Sequence, residues 1–385
     1  VFTDIPDTMR AVVYRGLKDL RLETIPVPRI TSSEILVKVA ACGVCPTDIK
    51  KIHYGTVPPP RVFGHETAGT IVKIGARVRG FRVGDRVALH HHVPCLKCHA
   101  CRHHAFAQCD QYKRTGITAG FEPAGGGYAE FVRVMPFVLP GVVKIPARNT
   151  FIEGAMQEPV NTVLKAVKRL NLLRGDVALV AGQGPIGLLF TRILALRGIE
   201  VVASDLLDER LQLARQWGAR WTVRADDPNF CGAVARPIMD GDSGSRSAEK
   251  RGRVGASDRS VKSLQFRGLD AAIIAVPSDA AVLQAQSLLR GAGQLLLFAH
   301  TRRGDHASLD LSTVCVDEKD LIGSYSSDFT LQREVAQLVL SRRLDVRKLV
   351  THEFPLARTA SAVELAAHPQ PKSLKVMVMP QMAHE

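Results

Sequence analysis

The sequence predicts an α/β protein in two parts, a mostly-β region followed by a doubly wound parallel sheet. Three observations predict it. Residues 9–158 are rich in Val, Gly and Pro, with short apolar runs and few helical periods. From Asp176 the texture changes to a strand, a glycine turn, a helix and a strand, the order of a parallel βαβ unit. Further apolar runs, Ala271–Val276 and Gln294–Phe298, then repeat the theme around a helical stretch, Asp279–Leu289.

Each element has a local reason. Met9-Arg10-Ala11-Val12-Val13 opens a first strand, and the eight residues before it read as an extension without the apolar core of a secretory signal. Ile35–Val39, Gly69–Ile74 and Arg86–Leu89 read as strands bounded by turn residues. Pro159 suits the first turn of a helix, where its missing N–H is not needed, and Thr162–Val167 continues that helix. Val177-Ala178-Leu179-Val180 is the unbroken apolar run of a strand buried on both faces. A helix over Ile186–Leu196 and a strand over Glu200–Asp205 come next. Residues 226–262 are polar, from Asp240-Gly241-Asp242-Ser243 through the charged run to Arg259, and read as a flexible surface insertion.

The bulk numbers bound the function. A chain of 385 residues with 46% hydrophobic content holds two or three cored domains. No stretch approaches the roughly 20 apolar residues of a membrane span. The net charge of +14, from 51 basic and 37 acidic residues, raises nucleic-acid binding as a reading. The basic residues are scattered, however, aromatics are 5%, and no nucleic-acid motif is present. An anionic cofactor and a basic surface account for the charge, so neither a nucleic-acid nor a membrane partner is expected.

Cysteine usage carries the chemistry. Cys95, Cys98, Cys101 and Cys109 read C-x2-C-x2-C-x7-C, a spacing that surrounds one tetrahedral zinc ion. Four thiolates leave no open position, so this lobe is structural. Cys42, Cys231 and Cys315 remain, and are expected to be buried and inert. Metal spacing and eight cysteines without a secretion signal favour a reducing, cytoplasmic compartment over disulfides.

A second constellation is built differently. Cys45 lies in Gly43-Val44-Cys45-Pro46-Thr47-Asp48, Gly64-His65-Glu66 follows, and Glu158-Pro159 comes much later. One Cys, one His and carboxylates form the mixed set of a zinc site that keeps a position for water or substrate. Zinc there is expected to act as a Lewis acid on an alcohol oxygen while hydride leaves for a nicotinamide. Thr47 is a candidate to pass the hydroxyl proton onward, and His53 a candidate relay base. His90-His91-His92 reads as a strand end or cleft wall, and His99, His103 and His104 as exposed spacers.

Gly182-Gln183-Gly184-Pro185-Ile186-Gly187 is G-x-G-x-x-G between a predicted strand and helix, with Asp205 ending the next strand. That context makes it a dinucleotide fingerprint. Gly182 serves the tight turn, Gly184 the approach to the pyrophosphate, Gly187 the helix–strand packing, and the helix that Pro185 opens offers free N–H groups from Ile186 onward. Asp205 is expected to accept from the adenosine ribose hydroxyls and to repel a 2′-phosphate, with no Arg at Leu206-Leu207. NAD is therefore favoured over NADP.

With these residues in hand, the chain resembles the zinc-dependent medium-chain alcohol/polyol dehydrogenases. Gly64-His65-Glu66-x2-Gly69-x5-Gly75-x2-Val78 matches the family's zinc signature, and the Cys95 lobe and Gly182 fingerprint stand in the family's order. The likeness runs from about Met9 to about Pro380 and is weakest over 226–262. It implies a GroES-like catalytic domain over 1–159, with the zinc lobe at about 90–112. A Rossmann NAD domain follows over 160–325, and 326–385 returns to the catalytic domain. By position, Cys45 and His65 resemble catalytic-zinc ligands, and Thr47 the residue that contacts substrate and relays protons. Glu158 is similar to the carboxylate of the sorbitol and threonine dehydrogenase branch, and Glu66 to a carboxylate that binds zinc directly or by exchange in some members. Which glutamate ligates stays open.

Two positions depart from the pattern: Pro46 replaces the usual Gly, His or Arg, and Lys50 stands where many members carry the relay His. The resemblance implies one catalytic and one structural zinc per chain, NAD, and a secondary alcohol or polyol substrate. The alternatives are a phosphorylated sugar, an amino alcohol such as L-threonine, or a non-catalytic nucleotide-binding protein. It also implies a homodimer or homotetramer, with Asp320–Tyr325 as a candidate pairing edge.

Overall fold

The computed structural model describes residues 5–90, 93–111, 126–239, 266–300, 304 and 306–383. The chain forms two units: Val1–Lys165 with Ser326–Glu385, and Ala166–Tyr325. The division between the units falls within the helix Gln157–Val167, whose first turns, with Glu158 and Asn161, belong to the first unit.

In the first unit, strands β1 (Thr8–Gly16) and β2 (Asp19–Pro26) form an antiparallel hairpin. Strand β3 (Ile35–Gly43) is almost wholly buried and lies at the centre of a seven-stranded sheet. A short strand, β4 (Arg61–Val62), completes the hairpin sheet. Strand β5 (Glu66–Ile74) pairs antiparallel with β3, placing Glu66 opposite Gly43. Strands β6 (Arg86–Ala88), β7 (Phe131–Val134) and β8 (Val143–Lys144) extend this sheet. Its core joins Ile35, Val37, Val39, Ile71, Val87 and Val132, all fully buried.

In the second unit, β9 (Val177–Ala181), β10 (Glu200–Asp205), β11 (Trp221–Arg224), β12 (Leu269–Ile274), β13 (Leu289–Leu297) and β14 (Asp320–Gly323) form one sheet. Its order is β11-β10-β9-β12-β13-β14 and every pairing is parallel. This is the doubly wound arrangement, with the order reversing beside β9, where such sheets bind dinucleotides.

One expectation needs correction here. The insertion expected over 226–262 contains a helix, Phe230–Met239. Phe230, Val234 and Ile238, spaced by four, form a helical stripe packed into the core with Trp221, Val223 and Val282. Residues 240–262 lie outside the described residues.

The chain then returns to the first unit. After the helix Gln332–Leu340 come β15 (Val350–Pro355), the helix Thr359–Ala367 and β16 (Lys375–Met379). Strand β16 pairs antiparallel with β3 through Met377 with Gly43 and Val378 with Cys42. That register sets Lys375 beside the end of β3, where Cys45 follows.

Candidate metal centre and nucleotide site

Cys45 directly follows the turn that ends β3 and caps the helix Pro46–Tyr54, whose first turn holds Pro46 and Asp48. His65 directly precedes β5 and Glu66 begins it. The β3–β5 pairing therefore brings together residues twenty positions apart, and one ligand atom from each of Cys45, His65 and Glu66 lies within 4.8 Å of the others. Glu158 falls outside that group of three. It sits in the first turn of Gln157–Val167, 6% exposed, with Thr162 Oγ1 donating to its backbone carbonyl at 3.2 Å and to its Oε1 at 3.4 Å.

The cluster's surroundings define its chemistry. His65 Nδ1 lies 3.1 Å from the fully buried Asp48 carboxylate, which makes Nε2 the ring atom able to ligate. Burial opposes charge on His65, but Asp48 and then Cys45 outweigh it and raise its pKa well above the ordinary value. Burial is the largest influence on Glu158 and, with Glu66, pushes it up to about 7 against the pull of His65 and Lys375. Lys375 is buried beside both glutamates: its ammonium is ion-paired with Glu66 Oε2 and donates to the Val44 carbonyl at 2.9 Å. A thiol, an imidazole with a carboxylate behind it, and a buried carboxylate make a donor set that fits zinc.

The proton-relay candidates are dispersed. Thr47 is half-buried in the first turn of Pro46–Tyr54. His53, at the other end of that helix, lies 4.0 Å from Glu364. Asp48 and Lys375 were not singled out in the sequence. Asp48 sits three residues past Cys45, a spacing that puts both on one helical turn, which is a readable signal. Nothing local marks Lys375.

Cys95, Cys98, Cys101 and Cys109 converge, each offering a sulfur within 4.8 Å of the others. The Cys95 N–H donates to Cys109 Sγ at 3.3 Å. Phe106 of this lobe packs edge-on against Phe329 of the return segment, centroids 5.4 Å apart. The four sulfurs fit a structural zinc. His99, His103 and His104 are exposed and His90 is buried, while His91 and His92 lie outside the described residues. Cys42 is buried, and burial pushes its thiol up to about 12. Cys231 and Cys315 are exposed, contrary to expectation. Cys231 lies off the buried stripe of its helix, and the helix Leu311–Val316 that carries Cys315 buries no residue.

At the nucleotide loop, Gly182 adopts φ +90°, a left-handed turn that favours glycine. A Cβ on Gly187 would overlap the Gly182 carbonyl oxygen, so the close packing of loop on helix requires glycine there. Gly184 faces open space and caps Pro185–Leu196, with Pro185 and Ile186 in the first turn. Asp205 already accepts from the Gln183 N–H at 2.6 Å and the Leu207 N–H at 3.0 Å. Arg210, in the helix Asp208–Gln216, reaches within 3.8 Å of Asp205, so a cation stands beside it after all.

Comparison with known proteins agrees with this architecture. Residues 31–147 match the family described as alcohol dehydrogenase GroES-like domain, and residues 185–342 match zinc-binding dehydrogenase. Sorbitol dehydrogenase of Bombyx mori is 30% identical over 362 residues, covering 92% of this chain and 94% of that protein. Erythritol/L-threitol dehydrogenase of Mycolicibacterium smegmatis is 28% identical, covering 98% of this chain and 99% of that protein. Among solved structures, 2R,3R-butanediol dehydrogenase of Bacillus subtilis superposes with a TM-score of 0.77 at 24% identity, covering 97% of this chain and 100% of that chain. The chain belongs to the zinc-dependent medium-chain alcohol and polyol dehydrogenase family. It is an oxidoreductase linked to zinc and NAD.

Proposed function

We propose that this chain oxidises a polyol, at a secondary CH–OH group, with NAD+ as acceptor. The observation that carries the reading is the convergence of Cys45, His65 and Glu66 within 4.8 Å, in a chain that also builds the Gly182 turn. When bound, zinc supplies Lewis-acid stabilisation of negative charge on the substrate oxygen, and NAD+ supplies the hydride acceptor.

The chain's own residues do the rest. Cys45, His65 and Glu66 would hold the zinc, with Asp48 fixing the His65 ring through Nδ1. Glu158, a buried carboxylate in the field of His65, Glu66 and Lys375, would be able to hold a proton or a water near the metal. Thr47 would relay the hydroxyl proton, giving up its own as it accepts, and His53, at the far end of the same helix and 4.0 Å from Glu364 of the helix Thr359–Ala367, is the candidate base to receive it. Cys95, Cys98, Cys101 and Cys109 would hold the structural zinc. Gly182, Gly184 and the N–H groups of Ile186 and Gly187, at the helix start that Pro185 opens, receive the pyrophosphate, and Asp205 the adenosine ribose.

The wider setting rests on the same features. Among the described residues no helix is long and apolar enough to cross a membrane. Free cysteines at both metal clusters suit a reducing cytoplasm. The edge strand β14, with Leu321 and the following Tyr325 exposed, suits pairing with a second copy in a homodimer or homotetramer.

NADH formation with a panel of polyols, secondary alcohols, L-threonine and a phosphorylated sugar tests the reading, with and without a zinc chelator and with NADP+ in parallel. Turnover of a polyol with NAD+ that the chelator abolishes is expected. Turnover that survives complete zinc removal, or exclusive turnover of a phosphorylated or amino substrate, would overturn it.

A further inference from the structure

Lys375 sits in an unusual place for a lysine. It is 5% exposed, and its ammonium is held between the Val44 carbonyl and Glu66 Oε2. Both glutamates of the candidate centre, Glu66 and Glu158, lie in its field, as does Cys45. Room for the pair is made by Gly43, where an added Cβ would overlap Glu66 Oε2 and come within 3.0 Å of Lys375 Cε. The pair is thus built by three strands: β3 leaves the space, β5 supplies the carboxylate and β16 the ammonium.

An ammonium carries no lone pair and cannot ligate a metal. Next to a zinc site its charge opposes the metal, and it occupies one oxygen of a ligand carboxylate. We propose that Lys375 is a positioning residue that competes with zinc for Glu66, so that Glu66 stays a weak, releasable ligand and a coordination position remains open to a substrate hydroxyl. The charge arithmetic gives the reason. Cys45 thiolate and a fully committed Glu66 would cancel the two charges of zinc. A Glu66 shared with an ammonium leaves net positive charge on the metal, and that charge is what withdraws electron density from an alcohol oxygen. The inference rests on the zinc reading above and concerns how that site is tuned.

The test is metal binding rather than turnover alone. Zinc affinity is measured by chelator competition, and cobalt(II) substitution distinguishes the one-thiolate site from the four-thiolate lobe by its charge-transfer bands. In Lys375→Met the one-thiolate site is expected to bind metal about tenfold or more tightly, the scale on which outer partners tune metal sites. Its cobalt d–d absorption should weaken as Glu66 commits and coordination rises, and kcat should fall. Lys375→Arg, which keeps the charge, should return all three toward the native values. In a Glu66→Gln background, Lys375→Met should lose most of its effect. Should the methionine variant not fold, Lys375→Gln keeps a donor to Glu66 without the charge and is read the same way. Weaker or unchanged metal binding in the neutral variants would mean that Lys375 only props the fold, and would overturn the inference. A native protein that loads metal only in the four-thiolate lobe would overturn the zinc reading itself, and this inference with it.

Discussion

Asp48→Asn removes one formal charge from behind the candidate metal centre and keeps the shape of the side chain. The native carboxylate is fully buried and 3.1 Å from His65 Nδ1. An amide oxygen can still accept from Nδ1–H, so the ring can keep its orientation, but the charge that raises the basicity of Nε2 is lost. Outer partners of ligating histidines contribute about 10–100-fold in metal affinity or activity. At about 1.4 kcal/mol per tenfold, that is roughly 1.4–2.8 kcal/mol. Full burial and an ionised acceptor set the expectation at the upper end, since hydrogen bonds to charged groups contribute about 1.5–3 kcal/mol. Asp48→Ala should lose more, because it leaves a buried N–H without an acceptor, worth about 1–3 kcal/mol. The assay is zinc competition against a chromophoric chelator, paired with denaturant unfolding of the metal-stripped protein. The expected result is a dissociation constant raised towards ~100-fold at the Cys45 site, with the lobe unchanged. Native zinc affinity in a folded Asp48→Asn protein would refute the argument that this carboxylate sets the strength of the His65 ligand.

Other consequences are equally open to measurement. Glu158 has its pKa raised from 4.5 to about 7, so its contribution to the stability of metal-stripped protein is full below about 4.5 and is lost as pH rises through about 7. Glu158→Gln should flatten that dependence in denaturant titrations across this window, and an unchanged slope would rule the group out as its source. Gly187→Ala should push the helix Pro185–Leu196 off the Gly182 loop and raise the KM for NAD+, by up to ~100-fold if the phosphate contacts move by about 1 Å. Nucleotide titration of the folded variant decides it. Asp205→Ala should remove the charge that repels a 2′-phosphate and leave Arg210 facing it, so the NADP+ to NAD+ ratio of kcat/KM should rise. No rise would show that Arg210 does not reach the cofactor. Cys109→Ser should lower bound zinc from two per chain to one by elemental analysis, since Cys109 is fully buried among the four sulfurs.

Much of this protein is legible along the chain because its decisive groups are close in sequence or keep to a period. The four thiols of the lobe lie between Cys95 and Cys109, so a single loop can close them round an ion. The apolar run at Val177–Val180, the glycines at 182, 184 and 187, and Asp205 fall in one βαβ unit, whose geometry is local. The polar run in 226–262 hid the start of its own segment. The stripe of Phe230, Val234 and Ile238 was readable there, but the many polar residues after Met239 outweighed it.

Other features depended on pairing between distant strands, which no window of sequence contains. The grouping of Glu66 with Cys45 and His65 follows from the β3–β5 register that sets Glu66 against Gly43. Arg210 comes to Asp205 because the helix starting at Asp208 turns it back toward the end of β10. Lys375 reaches the candidate metal centre from the far end of the chain, because β16 pairs with β3 and burial then forces its ammonium to find a carboxylate. Sequence alone determined which candidate ligands, glycines and acids this chain offers to a zinc- and nucleotide-dependent reaction. Only the tertiary structure decided which carboxylate groups with Cys45 and His65 and which cation pairs with it, since buried charges are matched by proximity in space and not by proximity in the chain.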